Sequence, residues 1–182
     1  MITLYYCAVP DRKREHEAAY RLLLAALRER FGSFETLPKI EAGEFGKPYF
    51  TDCPGLFFNL SHAGGCAVCA LSGAPVGIDI INERKNRSRA AEKFTAAEQE
   101  WLKERPEAAF FDLWAKKEAY LKAIGTGLTR RLDSFSVLPA GENCPEPGLF
   151  DILLPFPAAG IHCAVCGAER PISVWNEIRG IL

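Results

Sequence analysis

The chain has 182 residues, 48% of them hydrophobic and 25% charged, enough to bury roughly two-thirds of the surface its unfolded form would expose. That balance excludes a disordered chain, a collagen-like repeat and a coiled coil. Lys and Arg number 22 against 23 Asp and Glu, for a net charge of -1, which argues against a whole-surface polyanion binder and so against a nucleic-acid partner.

No apolar run approaches the ~18 to 20 residues of a membrane span, so no membrane partner is expected. The opening Met1-Ile2-Thr3-Leu4-Tyr5-Tyr6-Cys7 has neither the charged region nor the long apolar region of an export signal. Of seven cysteines, all but Cys53 and Cys144 sit in apolar segments, the pattern of reduced core thiols in a cytoplasmic protein. A monomer is the expected state.

In chain order, residues 12–31 read as a helix, with Ala19, Leu22, Leu23, Ala26, Leu27 and Phe31 at three- and four-residue steps and Gly32 as its stop. Residues 54–71 read as strand, turn, strand. Val76-Gly77-Ile78-Asp79-Ile80-Ile81 has the character of a buried strand with a carboxylate in its middle, and such a carboxylate needs a partner. A basic stretch from Asn82 to Arg89 follows. Thr95-Ala96-Ala97-Glu98 has capping-box spacing and opens a helix that ends before Pro106.

Residues 107–124 form the clearest helix. Its apolar stripe gathers Phe110, Leu113, Trp114, Leu121 and Ile124, and Lys117 falls in the centre of it. Glu118 lies at the stripe's edge, and Lys122 follows one turn later. A helix of this kind can carry Lys117 as a snorkelling side chain and Glu118-Lys122 as a surface pair, or it can present them to a ligand. Trp114 is expected to pack in the core. Beyond Gly125-Thr126-Gly127, short strands are expected at Phe135–Val137, Ile152–Leu154, Ile161–Cys166 and Ile172–Trp175.

Cys66-Ala67-Val68-Cys69 and Cys163-Ala164-Val165-Cys166 have the spacing of paired zinc knuckles, but their flanks continue strands, on which positions i and i+3 face opposite ways. They read better as equivalent strands of two similar halves, with a junction near Ser72–Pro75 and a ligand cleft between the halves.

Asp79, Glu118 with Lys117 and Lys122, and Ser61-His62 form a constellation suited to phosphoryl chemistry. Two carboxylates suit a hard cation, and lysines suit the phosphate oxygens that share it. In order and spacing, the chain resembles the Sfp-type 4'-phosphopantetheinyl transferases. The resemblance runs through Gly46-Lys47-Pro48, Phe58-Asn59-Leu60-Ser61-His62, Val76-Gly77-Ile78-Asp79-Ile80, Phe94-Thr95-Ala96-Ala97-Glu98, Trp114-Ala115-Lys116-Lys117-Glu118, Gly125-Thr126-Gly127-Leu128 and Leu132-Asp133-Ser134-Phe135. It covers residues 46–137 well.

This resemblance implies an α+β fold. It would be a pseudo-twofold pair of similar halves, residues 1–75 and 76–182, each a small mainly antiparallel sheet packed on a helix, with the active-site cleft between them. It also implies transfer of 4'-phosphopantetheine from coenzyme A to a serine of an acyl or peptidyl carrier protein, with Mg2+, or Mn2+ in its place. Asp79 and Glu118 would hold the metal, and Glu118 or a water it orients would take the serine proton. Lys117 and Lys122 would engage coenzyme A phosphates, Ser61 and His62 the 3'-phosphate, Lys47 and Pro48 the adenine side, and Arg21 would be a further basic contact.

One departure stands out. Many relatives carry a second acid two residues after the aspartate, where this chain has Ile81, and the alternative glutamine after the histidine is Ala63. Phosphate oxygens and waters would then complete the metal shell, and Asn82 or Glu83 could compensate only from a shifted loop. A coenzyme-A- or carrier-binding module without catalysis is the rival reading.

Overall fold

The computed structural model of the chain describes residues 1–83, 88–138, 148–151, 160–168 and 171–181. The first strand, β1 (Ile2–Ala8), is buried on both faces. A 3-10 turn at Arg12–Arg14, capped by the Asp11 carboxylate, leads into α1 (Glu15–Phe31), so the expected helix begins with a tighter turn. The short pair β2 (Ile40–Ala42) and β3 (Pro48–Phe50) is followed by the hairpin β4 (Phe57–Ala63) and β5 (Cys66–Ser72), and then by β6 (Val76–Asn82). Three helices follow: α2 (Ser88–Ala91), α3 (Ala96–Lys103) and α4 (Ala108–Ile124). The last strands are β7 (Gly148–Asp151), β8 (Ile161–Gly167) and β9 (Pro171–Glu177).

The fold is α+β. One sheet runs β4-β5-β1-β9, another β6-β8-β7, and β2-β3 stands apart. Every pairing is antiparallel except that of β9, which returns to lie parallel to β1 in the first sheet. Period-2 alternation gives each sheet two faces, and three cores result. Leu22, Leu23 and Leu27 of α1 pack on Tyr5, Cys7, Phe58 and Cys69. Leu113, Ala119 and Leu121 of α4 pack with Phe94, Leu132, Ala164 and Cys166. Between the sheets lie Ile2, Leu4, Cys66, Val68, Val76, Ile78, Ile80, Cys163 and Val165. Each Cys-Ala-Val-Cys run is a strand whose two thiols enter different cores, which is the opposite-face geometry expected of it.

Two local features bring α4 onto β6. A Cβ at Gly77 would stand 2.0 Å from the Ala119 carbonyl oxygen and 2.5 Å from the Ala123 nitrogen, so only glycine lets the helix backbone cross the strand there. Gly125 ends the helix in the left-handed conformation, its N–H bonded to the Leu121 carbonyl at 2.9 Å.

The expected strand at Phe135–Val137 does not form. Its backbone groups are taken by side chains: Val137 N–H donates to Glu98 Oε1 at 2.8 Å, and the Phe135 carbonyl accepts from Lys117 at 2.8 Å. The expected strand at Ile152–Leu154 lies outside the described residues.

Candidate active site

β4 meets β6 through side chains instead of a backbone ladder. Asn59 and Ser61, two residues apart on one face of β4, accept from the N–H groups of Ile78 (2.8 Å) and Ile80 (3.2 Å). These bonds satisfy the edge of β6 and place Ser61 against Asp79, which is 7% exposed. The Ser61 hydroxyl donates to Asp79 Oδ1 at 3.0 Å. Lys122 Nζ reaches the same oxygen at 2.6 Å, and also donates to Ser61 Oγ and the Ile78 carbonyl, each at 3.1 Å.

One turn back on α4, burial and then the charge of Asp79 hold the Glu118 carboxyl above its ordinary range, while Lys122 pulls it the other way. Two neighbouring carboxylates that repel each other are what a divalent cation relieves, and their oxygens are the donors Mg2+ prefers. Asp79 and Glu118 therefore fit a metal. Among the described residues no cluster of three or more His, Cys, Asp or Glu side chains is assembled to hold one, so phosphate and water would supply the remaining ligands.

Glu118 and Lys122 open onto a cleft of about 360 Å³, walled by α1, β4, α4 and the turns at Gly46 and Gly125–Leu128. His62, Lys47 and Pro48 line it, as expected of ligand contacts, together with His16, Tyr20 and Phe45, which the sequence did not single out. The His16 ring stands edge-on to His62 at 5.9 Å, and Glu15 approaches His62 Nδ1 at 3.4 Å. Lys47 ties the Gly46 turn to the rest of the site, donating to the carbonyls of Val76 (3.1 Å) and Ala123 (3.0 Å). Burial pushes its ammonium down to about 8.

Three expectations need correction. Lys117 does not reach the cleft: it is fully buried, paired with Glu98 Oε2 at 2.8 Å, and donates to the Leu132 and Phe135 carbonyls at 2.8 Å each. An ammonium has three protons, so none is left for a phosphate. Arg21 is turned to Glu17 (2.7 Å) and the Ile181 carbonyl (3.1 Å) and does not line the cleft. Ser61 faces inward to Asp79, because neighbouring residues on a strand point apart and His62 takes the cleft side. As placed, Asn82 packs against Gly64 and Glu83 is bonded to His162, so either could replace the missing acid only from a shifted loop, as expected.

The sequence missed the partner of Lys117. Glu98 closes the capping box with Thr95, as its spacing indicates, and the same carboxylate receives Lys117 from α4 and Val137 N–H. A lysine in an apolar stripe and an acid at a helix start were both legible; that they meet was not. Trp114 packs beside Phe94 and Phe110, ring centroids 6.1 and 5.9 Å away, as expected of a core residue. Its other edge lines a second recess with Lys93, Leu128 and Arg130.

Residues 75–166 match the family described as the 4'-phosphopantetheinyl transferase superfamily, and the chain belongs to it. It is 33% identical over 148 residues to a 4'-phosphopantetheinyl transferase of Bacillus subtilis, a stretch covering 71% of this chain and 66% of that protein. It is 44% identical over 96 residues to the 4'-phosphopantetheinyl transferase psf-1 of Bacillus pumilus (50% and 41%). It is 41% identical over 112 residues to the 4'-phosphopantetheinyl transferase AcpT of Salmonella typhi (57% and 58%). The chain thus spans 41% to 66% of the length of these relatives.

Proposed function

We propose that this chain transfers 4'-phosphopantetheine from coenzyme A to a serine of an acyl or peptidyl carrier protein. The observation that carries the reading is the meeting of Asp79, Glu118 and Lys122 at the base of a cleft lined by Lys47, Pro48 and His62, within the stretch that matches the family. The serine hydroxyl attacks the β-phosphorus of the diphosphate, a new P–O bond forms, the bond to the bridging oxygen breaks, and adenosine 3',5'-bisphosphate leaves with that oxygen. Glu118, directly or through a water, takes the serine proton, since burial and Asp79 raise its affinity for protons above that of an ordinary carboxylate.

Bound Mg2+, or Mn2+, held by Asp79 and Glu118, would neutralise charge on the diphosphate oxygens. Lys122, whose three protons now go to Asp79, Ser61 and the Ile78 carbonyl, would turn from them to donate to the same oxygens, and His62 would donate to the 3'-phosphate. Lys47 and Pro48 shape the adenine wall. Lys117 acts as a positioning residue through Glu98. Such a reaction runs on positioning and charge neutralisation, without a protein nucleophile.

The two sheets suggest how the cleft arose. The arrangement β1-α1-β4-β5, with strand order β4-β5-β1, has a counterpart in β6-α4-β7-β8, with order β7-β8-β6. Both helices have 17 residues and end in a left-handed glycine, and the Cys-Ala-Val-Cys strands β5 and β8 hold equivalent places. We read residues 1–75 and 76–182 as pseudo-twofold halves, with β9 handed back to the first. No disulfide joins the described cysteines, and burial raises Cys7 to about 11 and Cys66 to about 12. Such free, buried thiols suit the cytoplasm, and a monomer is the state we propose. Among the described residues no helix is long and apolar enough to cross a membrane.

Mass spectrometry of a carrier protein incubated with the chain, coenzyme A and Mg2+ tests the reading. The carrier is expected to gain one phosphopantetheine on a serine, with the gain abolished by chelator. Coenzyme A binding with no modification of any carrier would favour the non-catalytic module, and equal labelling in excess chelator would remove the metal from the reaction.

A further inference from the structure

We propose that the Lys122 ammonium is a displaceable stand-in cation on Asp79, so that a divalent metal and a diphosphate ligand bind as a coupled pair. The inference rests on the metal-site reading above and adds the order of charges within that site.

Asp79 Oδ1 already receives two donors, the Ser61 hydroxyl at 3.0 Å and the Lys122 ammonium at 2.6 Å, and displacing the ammonium also gives up its longer bonds to Ser61 Oγ and the Ile78 carbonyl, 3.1 Å each. A metal that ligates this carboxylate meets an ammonium already seated on it, and two cations sharing one carboxylate repel each other in a partly buried site. The side chains of Lys122 and Asp79 are 27% and 10% exposed, so solvent screens that repulsion only in part. While Lys122 is seated, the two carboxylates and one ammonium carry a net charge of about -1, and when it leaves they carry about -2.

Lys122 also has somewhere to go. It lines the cleft beside Glu118, on a flexible four-carbon stem, so an incoming diphosphate offers its ammonium a second anionic partner. Drawing the ammonium towards phosphate frees Asp79 for the metal, and the metal in turn fixes the phosphate. Thermodynamic reciprocity requires each ligand to tighten the other by the same factor. Ser61 stays on Asp79 throughout, held by Ile80 N–H, and keeps the carboxylate oriented during the exchange. The alternative is a permanent structural ion pair, in which Lys122 stabilises Asp79 and removing it only weakens the site.

Mn2+ titrations followed by electron paramagnetic resonance separate the two, because they need neither carrier nor turnover. Lys122→Met and Lys122→Gln are compared with the unsubstituted chain, first with Mn2+ alone and then with coenzyme A present, after circular dichroism melts show both variants folded. The glutamine keeps a hydrogen-bond donor without the charge and covers the case in which methionine does not fold. The proposal expects both variants to bind Mn2+ alone about tenfold tighter. It also expects coenzyme A to tighten Mn2+ binding by ~5- to 150-fold in the unsubstituted chain and far less in the variants. Unchanged or weaker binding of Mn2+ alone in the variants overturns it, as does a coenzyme A effect equal in all three proteins. Asp79→Asn is expected to abolish the tight Mn2+ signal; its persistence would put the ion elsewhere and sink the proposal. A carrier left unmodified would defeat the transfer reading while leaving the metal-alone comparison standing.

Discussion

A buried ammonium needs an acceptor for each proton, and Lys117 finds three, one on α3 and two in the segment after α4. Burial pulls Lys117 below the ordinary lysine range and Glu98 pushes it back, so the charge depends on its partner. Both side chains are 0% exposed, and truncating one leaves the other charge buried and alone. Lys117→Met is therefore expected to destabilise the chain by about 3–5 kcal/mol. A Lys117→Met/Glu98→Leu double variant should recover a large part of that loss, and urea melts of the three proteins check it. Glu118 follows different logic. Its carboxyl is held high by burial and Asp79, so activity is expected to fall as the pH drops through its titration, because the protonated group neither binds metal nor accepts a proton. Metal competes with that proton, so the acid limb should move to lower pH as Mg2+ is raised. Rate-pH profiles at two Mg2+ concentrations measure the movement.

At the scale of elements, close approach and side-chain stitching position the site more than the sheet ladders do. α4 is seated by Gly77, β4 is joined to β6 by Asn59 and Ser61, and the outer end of β6 is fastened by His162 of β8. There the imidazole bonds Asp112 of α4 through Nδ1 (2.5 Å) and Glu83 through Nε2 (3.0 Å), with Phe111 stacked alongside. The Asp112 hydrogen bond, reinforced by Glu83 and opposed by burial, raises its proton affinity. A histidine with a raised folded pKa contributes stability that is full below about pH 6.5 and is lost as the pH rises through the folded value. The stability difference between the unsubstituted chain and His162→Gln should accordingly be large near pH 6 and small near pH 9, as paired thermal melts at the two pH values would show. Helices α1, α3 and α4 and strands β4 to β6 were legible because each has one clean period and a stop signal. Phe135–Val137 was misread because three apolar-flanked residues resemble a strand when the side chains that replace its ladder come from residues 98 and 117. Of the candidate site, motif order singled out Asp79, Glu118, Lys122, His62, Lys47 and Pro48, which the fold gathers in and beside one cleft. The inward turn of Ser61, the diversion of Arg21 and the burial of Lys117 depend on contacts between distant segments, which spacing along the chain does not encode.

In the whole molecule, two sheets enclose a shared apolar layer, with a helix on the outer face of each. The cleft lies between α1 of the first sheet and α4 of the second, beside edge strand β4, so its shape depends on how both sheets are set. The first sheet is completed only by β9, whose placement on β1 is reinforced by Asn176 Nδ2 donating to the Leu4 carbonyl (3.1 Å), Ile178 N–H donating to the Tyr6 carbonyl (2.9 Å), and the edge-on Tyr6–Trp175 ring pair. Deleting residues 171–182 is expected to uncover the β1 edge and replace one sharp thermal transition by a broad one, measured by circular dichroism with light scattering to follow edge-to-edge association. The same pairing sets a schedule for biosynthesis. β1 is made well before β9, and the two meet across a loop as long as the 172-residue separation of Leu4 from Asn176, so this contact is among the slowest to close. Once β5 is made it covers one edge of β1, but the other edge stays open until β9 arrives, and that interval is when a chaperone is most needed.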